Sequence, residues 1–432
     1  MSTLSINFHK LAKFVNFIIP ISAIAFFLAG IFVSFYFHFL SIAFIFLTVI
    51  NYFYLNVQTQ HSILRNFGMV GQLRYMLESL GPELRQYLFS SDTEEKPFNR
   101  EERSEVYRKS KGVDSALSFG SQNLFDSSEI KFRHSLFPVE KNKIEPYKIT
   151  FGEERGIKNT YTINKHIMIS AMSFGALGEK AIYSLARGAK MAKIPMNTGE
   201  GGYPKHHLTE GCDLIFQLGT AKFGARHLDG TLDQEKLKHI SQNPEVKMIE
   251  IKLSQGAKPG KGGLLLKEKI TDEISELRGV SKDHDIVSPM YHRECQDLES
   301  MVQFINNIQE ISQLPVGIKI CIGLEDEFRA MIQEMKKQDV FPDYIAIDGA
   351  EGGTGAAPKA YMDHFGLPLF SALKIVQKIL IEEQSRGRVK IIASGKLINI
   401  GKQMMALSLG ADVIYSARGF MLALGCIQAL QC

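Results

Sequence analysis

With 432 residues, the chain is long enough for one large domain with additional segments. A hydrophobic content of 45% and a charged content of 22% exclude a disordered or fibrous protein. The net charge of +4 is small, so nucleic acid is not an expected partner, and five cysteines in a chain of this length do not predict a disulfide framework but fit a reducing compartment.

The first predicted element is a hairpin of two transmembrane helices in residues 1–60. Residues 14–64 contain no Asp, Glu, Lys or Arg, and a membrane span needs about 20 apolar residues, so the run is long enough for two helices with a turn at 34–38. Lysines precede the run and arginines follow it, which predicts a membrane anchor with the catalytic domain in the cytoplasm. A cleaved signal peptide is the competing interpretation, but the apolar run is too long for one.

A helical connecting segment is predicted for residues 61–150. Apolar residues at helical spacing from Leu73 to Leu80 indicate a helix, which Gly81-Pro82 is expected to end or restart. Residues 91–111 are dense in charge and predict a surface helix. We interpret the whole segment as a solvated adaptor between the membrane and the catalytic domain, followed by a loop or short strands at 147–162.

From residue 165 onward, strand-like runs alternate with helical stretches, which predicts an α/β fold, a (β/α)8 TIM barrel occupying residues 151–432. The predicted strands are 166–174, 194–200, 213–219, 246–254, 316–321, 343–349, 389–395 and 411–416. A ninth candidate, 284–289, is short and lies inside a long polar connection, so we exclude it. A doubly wound sheet is the alternative architecture, but a GxGxxG fingerprint after the first strand is missing.

The stretch 344–358 is the most informative part of this pattern. A buried strand runs up to Asp348, and four glycines follow within seven positions. Glycine lets backbone N–H groups crowd against an anion, although a plain tight turn has the same composition. Polar or glycine residues also follow the other strands, and active sites of parallel barrels lie at those strand ends.

Several motifs in the same order closely resemble the FMN-binding synthase domain of glutamate synthases over residues 151–432. The motifs lie at 171–175, 197–202, 250–260, 352–356 and 425–426. Together with residues 74–111, the N-terminal hairpin resembles a short, stand-alone, membrane-anchored branch of that family, in which the amidotransferase domain of the full enzyme is missing.

The resemblance implies an FMN site. Lys319 would stabilise the negative charge of the reduced flavin, although a buried structural lysine with a carboxylate partner is the alternative interpretation. Ring contacts would come from Met172, Ser173 and Gln217. The remaining implied cofactor residues, which would hold the phosphate by N–H groups, hydroxyls and charge, are Gly349, Gly353, Thr354, Gly355, Ser394, Gly395, Lys396, Ser416, Ala417 and Arg418. The large enzymes carry Asp-Gly-Gly where Ser394-Gly395-Lys396 stands.

A dicarboxylate site is implied beside the flavin. Lys252, Gln255 and Lys258 follow one strand in a glycine-rich loop, and lysines and an amide suit carboxylate oxygens. Arg278 stands where the family has an arginine for the substrate carboxylate. Glu200 is the acid/base or ammonium-holding candidate, because neighbouring glycines leave room for a ligand. For each of these residues a surface charge is the alternative.

Histidines and cysteines complete the list of candidate ligands. His206, His207 and His292 have no carboxylate or cysteine at ligand spacing, so ordinary surface histidines are expected rather than a metal site. Cys426 and Cys432 are two of the three cysteines with which the family completes an iron–sulfur site. Two thiolates are too few to hold a cluster, so we expect either a truncated chain or no stable cluster.

Three functions remain open at this point. The first is FMN-dependent reduction of the imine of 2-oxoglutarate and ammonia to L-glutamate, with ammonia from solution or a glutaminase partner. Its electron donor would be ferredoxin or an NAD(P)H reductase. The second is an FMN oxidoreductase for another oxo or imino acid, and the third is a truncated, non-catalytic flavin-binding subunit.

Overall fold

The computed structural model describes residues 8–85, 95–113, 132–354 and 357–425. The chain divides into two compact units, Met1–Glu101 and Glu102–Cys432.

Two apolar helices form a hairpin at the start of the first unit. α1 is Phe8–Phe32 and α2 is Phe37–Tyr52, with a π-helical continuation at Phe53–Val57. Both are long and apolar enough to cross a membrane, with mean hydropathies of 2.3 for Lys10–Phe32 and 1.8 for Phe37–Val57. Large apolar side chains point outward, whereas Ser41 is buried and donates a hydrogen bond to the carbonyl of Ala23 at 2.9 Å.

Two shorter helices follow the hairpin, α3 at Ser62–Phe67 and α4 at Val70–Leu84. The prediction that the helix ends or restarts at Gly81-Pro82 is wrong, because α4 runs through both residues. α5, at Arg100–Ser110, lies inside the predicted charged helix, with Val106 buried on one face. Residues 91–94 of that prediction lie outside the described residues.

The second unit contains the predicted barrel. Its eight parallel strands are β3 Ile167–Ile169, β4 Met196–Asn197, β5 Leu214–Leu218, β6 Val246–Lys252, β9 Val316–Ile320, β10 Tyr344–Asp348, β11 Lys390–Ser394 and β12 Val413–Ser416. They close on themselves in the order β10-β11-β12-β3-β4-β5-β6-β9. Each falls within a predicted strand, so the prediction of an eight-stranded parallel barrel is confirmed.

Short antiparallel hairpins account for the remaining strands. β1 (Ile149–Phe151) pairs with β2 (Tyr161–Ile163), and β7 (Leu264–Leu265) pairs with β8 (Ile286–Val287). The second pair contains the excluded ninth candidate, which therefore is a strand but not one of the barrel.

The barrel interior is filled by side chains rather than left open. Phe151 from β1 stacks edge-to-face on Tyr344, with ring centroids 5.5 Å apart, among buried residues of several barrel strands. Gly317 on the neighbouring strand is required here, because a β-carbon at that position would overlap the Tyr344 ring. The β1–β2 hairpin thus contributes to the core inside the barrel, while the opposite end of the strands carries the site.

Helices surround the strands and bury a second, larger apolar layer between themselves and the barrel. They are α6 Glu179–Ala192, α7 Lys205–Leu208, α8 Gln234–Ser241, α9 Asp272–Arg278, α10 Leu298–Ser312, α11 Glu325–Gln338, α12 Lys359–His364, α13 Leu369–Glu382, α14 Ile400–Ser408 and α15 Arg418–Leu424. Apolar residues three and four positions apart place one face of each long helix on the sheet.

Candidate functional site

A cavity of about 320 Å³ lies at the carboxyl ends of the barrel strands. Its charged lining residues are four cations and two carboxylates, namely Lys252, Lys319, Lys396, Arg418, Glu200 and Asp348. The volume falls within the range of small-molecule and cofactor sites, about 300–1,000 Å³. The excess of positive charge favours an anionic ligand.

One rim of the cavity is built by the segments that follow β10, β11 and β12. It contains every predicted phosphate-side residue that lines the cavity: Gly353, Thr354, Ser394, Gly395, Lys396, Ser416, Ala417 and Arg418. We call this the β10–β12 rim. Arg418 donates from Nη2 to the carbonyl of Glu351 at 2.5 Å, which holds the guanidinium beside the glycine-rich turn. Burial lowers the pKa of Arg418, while Asp348 and Glu351 oppose that shift.

A second rim is built by β5, β6 and β9. In the closed strand order β5 and β6 lie across the barrel from β11 and β12, whereas β9 is the neighbour of β10. This second rim carries Gln217, Lys252, Gln255 and Lys319, all of which line the cavity. Met172, Ser173 and Glu200 line it from the segments after β3 and β4. The structure therefore brings the predicted cofactor and catalytic residues together around one space, except for Gly349, which does not line it, and Gly355, which lies outside the described residues.

Lys319 has a carboxylate partner. Only 6% of the residue is exposed, and Nζ lies 3.7 Å from Oδ2 of Asp348 on the next strand. Asp348 also accepts hydrogen bonds from the backbone N–H of Gly256 at 2.9 Å and from the Ser394 hydroxyl at 2.7 Å. Both the functional and the structural interpretation of Lys319 are compatible with this arrangement, since the amine still lines the cavity.

A buried carboxylate lies beneath the cavity. Oε1 of Glu250 accepts hydrogen bonds from the amides of Asn197 at 2.8 Å and Gln217 at 2.7 Å, and Oε2 accepts one from the Tyr415 hydroxyl at 2.9 Å. Glu250 itself is fully buried. Because the Gln217 nitrogen is used by Glu250, the amide oxygen of Gln217 is the atom left to accept from a ligand.

Glu200 and Lys252 form an ion pair at the cavity wall, with Oε1 and Nζ 2.8 Å apart. Burial, the largest single influence, raises the pKa of the Glu200 carboxyl, while the charge and hydrogen bond of Lys252 lower it. Lys258 and Arg278 act in the same direction, so the pKa of Glu200 lies below its usual value. The group is consequently a carboxylate at neutral pH, suited to holding an ammonium or iminium cation.

The loop after β6 is held close to the strand ends. A β-carbon at Gly256 would overlap the carbonyl oxygen of Gly349, and one at Gly262 would overlap that of Ser288. Lys258 donates to the carbonyl of Gly262 at 2.6 Å and lines a small side cavity together with Glu200, Lys252 and Gln255. Lys252 at the end of β6 and Lys258 in the loop thus both act on the carboxylate of Glu200, and burial lowers the pKa of Lys258.

Arg278 does not line the main cavity. Its Nη2 donates to the carbonyl of Phe174 at 2.9 Å, and its guanidinium lies over the ring of Phe223 at 5.3 Å from the centroid. It lines a separate cavity of about 220 Å³ on the side of Tyr203 and Gly224. Its positive charge nevertheless acts on Glu200.

The expectation of surface histidines is wrong. His206, His207 and His292 are 4%, 2% and 1% exposed. His207 donates from Nε2 to the carbonyl of Met172 at 3.0 Å, and His292 to that of Lys252 at 3.1 Å. Burial lowers the pKa of both to about 4, so they hold the backbone of two site segments as neutral rings. Among the described residues, no group of three or more His, Cys, Asp or Glu side chains is placed to hold a metal.

Three predicted residues fall outside the described part of the chain, namely Gly355, Cys426 and Cys432. Gly349 is described but does not line the cavity; its N–H donates to the carbonyl of Ser394 at 2.8 Å. Sequence reasoning assigned no role to Asp348, Glu250 or Tyr415. The sequence carried a signal for two of them, since Glu250 lies inside a run of apolar strand residues and Asp348 ends another, and a buried charge requires partners.

A closed barrel of eight parallel strands, with a basic cavity at its strand ends, defines a TIM-barrel protein. The chain belongs to the glutamate synthase family, because the model of the conserved region in glutamate synthase matches residues 103–432.

Named relatives support this membership. The chain is 37% identical over 414 residues to the glutamate synthase large subunit-like protein YerD of Bacillus subtilis, which covers 87% of this chain and 78% of YerD. It is 36% identical over 304 residues to the archaeal glutamate synthase [NADPH] of Methanocaldococcus jannaschii, covering 70% of this chain and 56% of that one. The chain thus spans about half the length of the archaeal relative.

A solved structure of a flavocytochrome b2 variant with sulfite bound is similar at 15% identity and a TM-score of 0.43, over 81% of this chain and 75% of that one. So distant a likeness says nothing about activity, and the barrel assignment depends on the strand pairing alone.

Proposed function

We propose that this chain is an FMN-dependent oxidoreductase that reduces the imine of 2-oxoglutarate and ammonia to L-glutamate. Family membership supports the reaction class, and relatives in the family are named as glutamate synthases. The observation that carries the proposal is the arrangement of the cavity, which has a phosphate-type rim on one side and a carboxylate-type rim on the other, with Lys319 between β6 and β10.

The residues of the cavity fit FMN. The β10–β12 rim offers hydroxyls of Thr354 and Ser416 and the cations of Lys396 and Arg418, a donor set that suits a phosphate. Gln217, across the barrel, offers an acceptor, and Lys319, on the strand next to β10, offers a cation. Both suit the N–H and carbonyl groups along one edge of a flavin. When bound, FMN supplies the reducing equivalents for the imine.

The chain's own residues would bind and polarise the substrate. Lys252, Gln255 and Lys258 bind the carboxylates of 2-oxoglutarate, and the charge of Arg278 adds to theirs. Glu200 remains ionised beside Lys252 and orients the ammonium or iminium nitrogen next to the carbon that is reduced. Condensation with ammonia releases water, and two electrons and two protons then convert the imine to the amine.

We propose that the hairpin of α1 and α2 anchors the chain in a membrane and that the barrel lies in the cytoplasm. Apolar residues of α1 and α2 face outward, whereas a polar residue such as Ser41 is buried between the helices. This is the reverse of a soluble helical hairpin and is the arrangement that hydrocarbon surroundings favour. Lysines before the hairpin and arginines after it favour the cytoplasmic side for both ends.

Full-length protein in detergent, loaded with FMN and a chemical reductant, tests the function. We expect L-glutamate from 2-oxoglutarate and ammonium, and more than a tenfold loss for Lys252→Met. Lys238→Met, which changes an exposed lysine on α8, is the matched control and keeps full activity. If the protein preferred another oxo acid, that acid would take the place of 2-oxoglutarate in the proposal. If the protein bound no FMN, the whole proposal would be overturned.

A further inference from the structure

α4 carries a continuous apolar stripe on its surface. Leu73, Met76, Leu77, Leu80 and Leu84 are 41%, 51%, 52%, 48% and 40% exposed. Their spacing of three and four residues places them on one face of the helix. Five large apolar side chains left exposed along one short helix form a patch rather than scattered surface residues.

The other side of α4 is polar. Arg74 and Glu78 form an exposed ion pair, with Nε and Oε1 2.9 Å apart, and Gln72 and Ser79 are also exposed. A helix with one apolar and one polar face is suited to the boundary between water and an apolar medium.

The structure fixes the start of α4 to one end of the apolar hairpin. Asn51 of α2 is 4% exposed; its Oδ1 accepts from the backbone N–H of Met69 at 2.8 Å, and its Nδ2 donates to Oδ1 of Asn16 in α1 at 3.0 Å. Gly68 has a φ of +59° and packs so closely that a β-carbon there would overlap Asn51 Oδ1. The chain therefore leaves the hairpin and enters α4 within one hydrogen-bonded cluster.

Positive charge is concentrated at this same end. Lys10 and Lys13 lie in the first turns of α1, whose Asn16 joins the cluster, and Arg65 lies in α3 just before α4. Lysine and arginine at the end of a membrane helix are attracted to anionic lipid headgroups. The cluster that starts α4 thus lies at the end of the hairpin that carries these positive charges.

From these observations we infer that α4 lies on the lipid surface, with the face from Leu73 to Leu84 inserted among headgroups and upper acyl chains. The inference rests on the membrane location proposed for the hairpin. It replaces the solvated adaptor predicted for this part of the sequence with a second, peripheral membrane contact. Such a helix restrains the direction in which the following chain leaves the bilayer.

The absence of tryptophan from the sequence makes a direct test available. Three single variants each carry one reporter: Leu77→Trp on the apolar face, Glu78→Trp one residue further on the polar face, and Phe27→Trp in α1. Full-length protein is reconstituted into vesicles of phosphatidylcholine with phosphatidylglycerol, with and without bromine on the acyl chains. Tryptophan fluorescence is then compared between the two vesicle types.

We expect brominated lipid to remove most of the fluorescence of Leu77→Trp and Phe27→Trp and little of that of Glu78→Trp. Unquenched Leu77→Trp beside quenched Phe27→Trp would overturn the inference, and a blue-shifted but unquenched signal would show instead that a protein surface or a second copy covers the face. If Phe27→Trp is also unquenched, the membrane location itself fails. Circular dichroism of each variant establishes that the helices are retained.

Discussion

Lys319 and Asp348 lie side by side on neighbouring strands, with Nζ of the lysine 3.7 Å from Oδ2 of the aspartate. Ser394 and Gly256 hold the same carboxylate by hydrogen bonds, so one aspartate connects the two rims and the loop after β6. The lysine is therefore placed both to stabilise a buried carboxylate and to meet a ligand.

These two roles can be separated by changing Lys319 alone and then Lys319 and Asp348 together. We expect Lys319→Met to lower the free energy of unfolding by roughly 2 kcal/mol, because Asp348 then loses its nearby cation. The double variant Lys319→Met with Asp348→Asn should regain stability without regaining glutamate formation. Urea unfolding and the assay described above measure the two effects. Recovery of activity in the double variant would contradict a role for the lysine at the ligand.

A second prediction concerns the carboxylate under the cavity. Glu250→Gln replaces an acceptor of three hydrogen bonds with a group that carries its own N–H donors, so at least one of Asn197, Gln217 and Tyr415 loses its partner. We expect a loss of about 1–3 kcal/mol in stability and weaker binding of FMN, measured by fluorescence titration. Glu235→Gln, which changes an exposed residue of α8, serves as the matched control. Unchanged FMN affinity would show that the orientation of Gln217 is irrelevant to the ligand.

The Glu200–Lys252 ion pair predicts a pH dependence. The pKa of Glu200 is lowered in the folded protein, so the carboxylate and its ion pair persist at neutral pH and are lost only as pH falls through that lowered pKa. Lys252→Met removes the cation that does most to offset the effect of burial on this pKa, so the pKa of Glu200 should rise. We expect the variant's binding of ammonium analogues to decline at a higher pH than that of the natural protein. If both proteins lost binding of ammonium analogues at the same pH, the ion pair with Lys252 would not be what lowers the pKa of Glu200.

Two buried histidines predict loss of stability in mild acid. Their pKa falls from 6.5 to about 4 on folding, so the unfolded chain binds protons between these values that the folded chain does not. Stability is therefore full above pH 6.5 and decreases as pH falls toward 4, by about 1.4 kcal/mol per pH unit for each histidine. The free energy of unfolding of His207→Gln should depend less steeply on pH than that of the natural protein. The His239→Gln variant, which changes an exposed residue, should keep the natural slope. Equal slopes for both variants would contradict the assignment.

Much of the barrel was predictable because strand and helix patterns alternate along the chain and parallel strands gather their carboxyl ends on one side. That rule alone brings Gln217, Lys319 and Ser394 into one cavity, although they are far apart in sequence. The strand limits were less predictable. β4 keeps only two residues of the seven predicted, because the segment that follows turns toward the cavity instead of continuing the sheet.

What the sequence did not show are the properties that depend on contacts between distant segments. The burial of His207 depends on the carbonyl of Met172, and the displacement of Arg278 from the main cavity depends on the carbonyl of Phe174. Neither backbone partner has a sequence signature. α4 continues through Gly81 and Pro82 to Leu84, although a proline inside a helix removes one backbone hydrogen bond.

Closure of the barrel requires β12 to pair with β3, which joins Ser416 to Ile169. Segments that follow both of these strands line the cavity. A nascent chain therefore has no complete cavity until β12 has left the ribosome, even though the first strands of the barrel are available earlier. A translation product that stops before β12 would leave the β3 edge open to association with other chains.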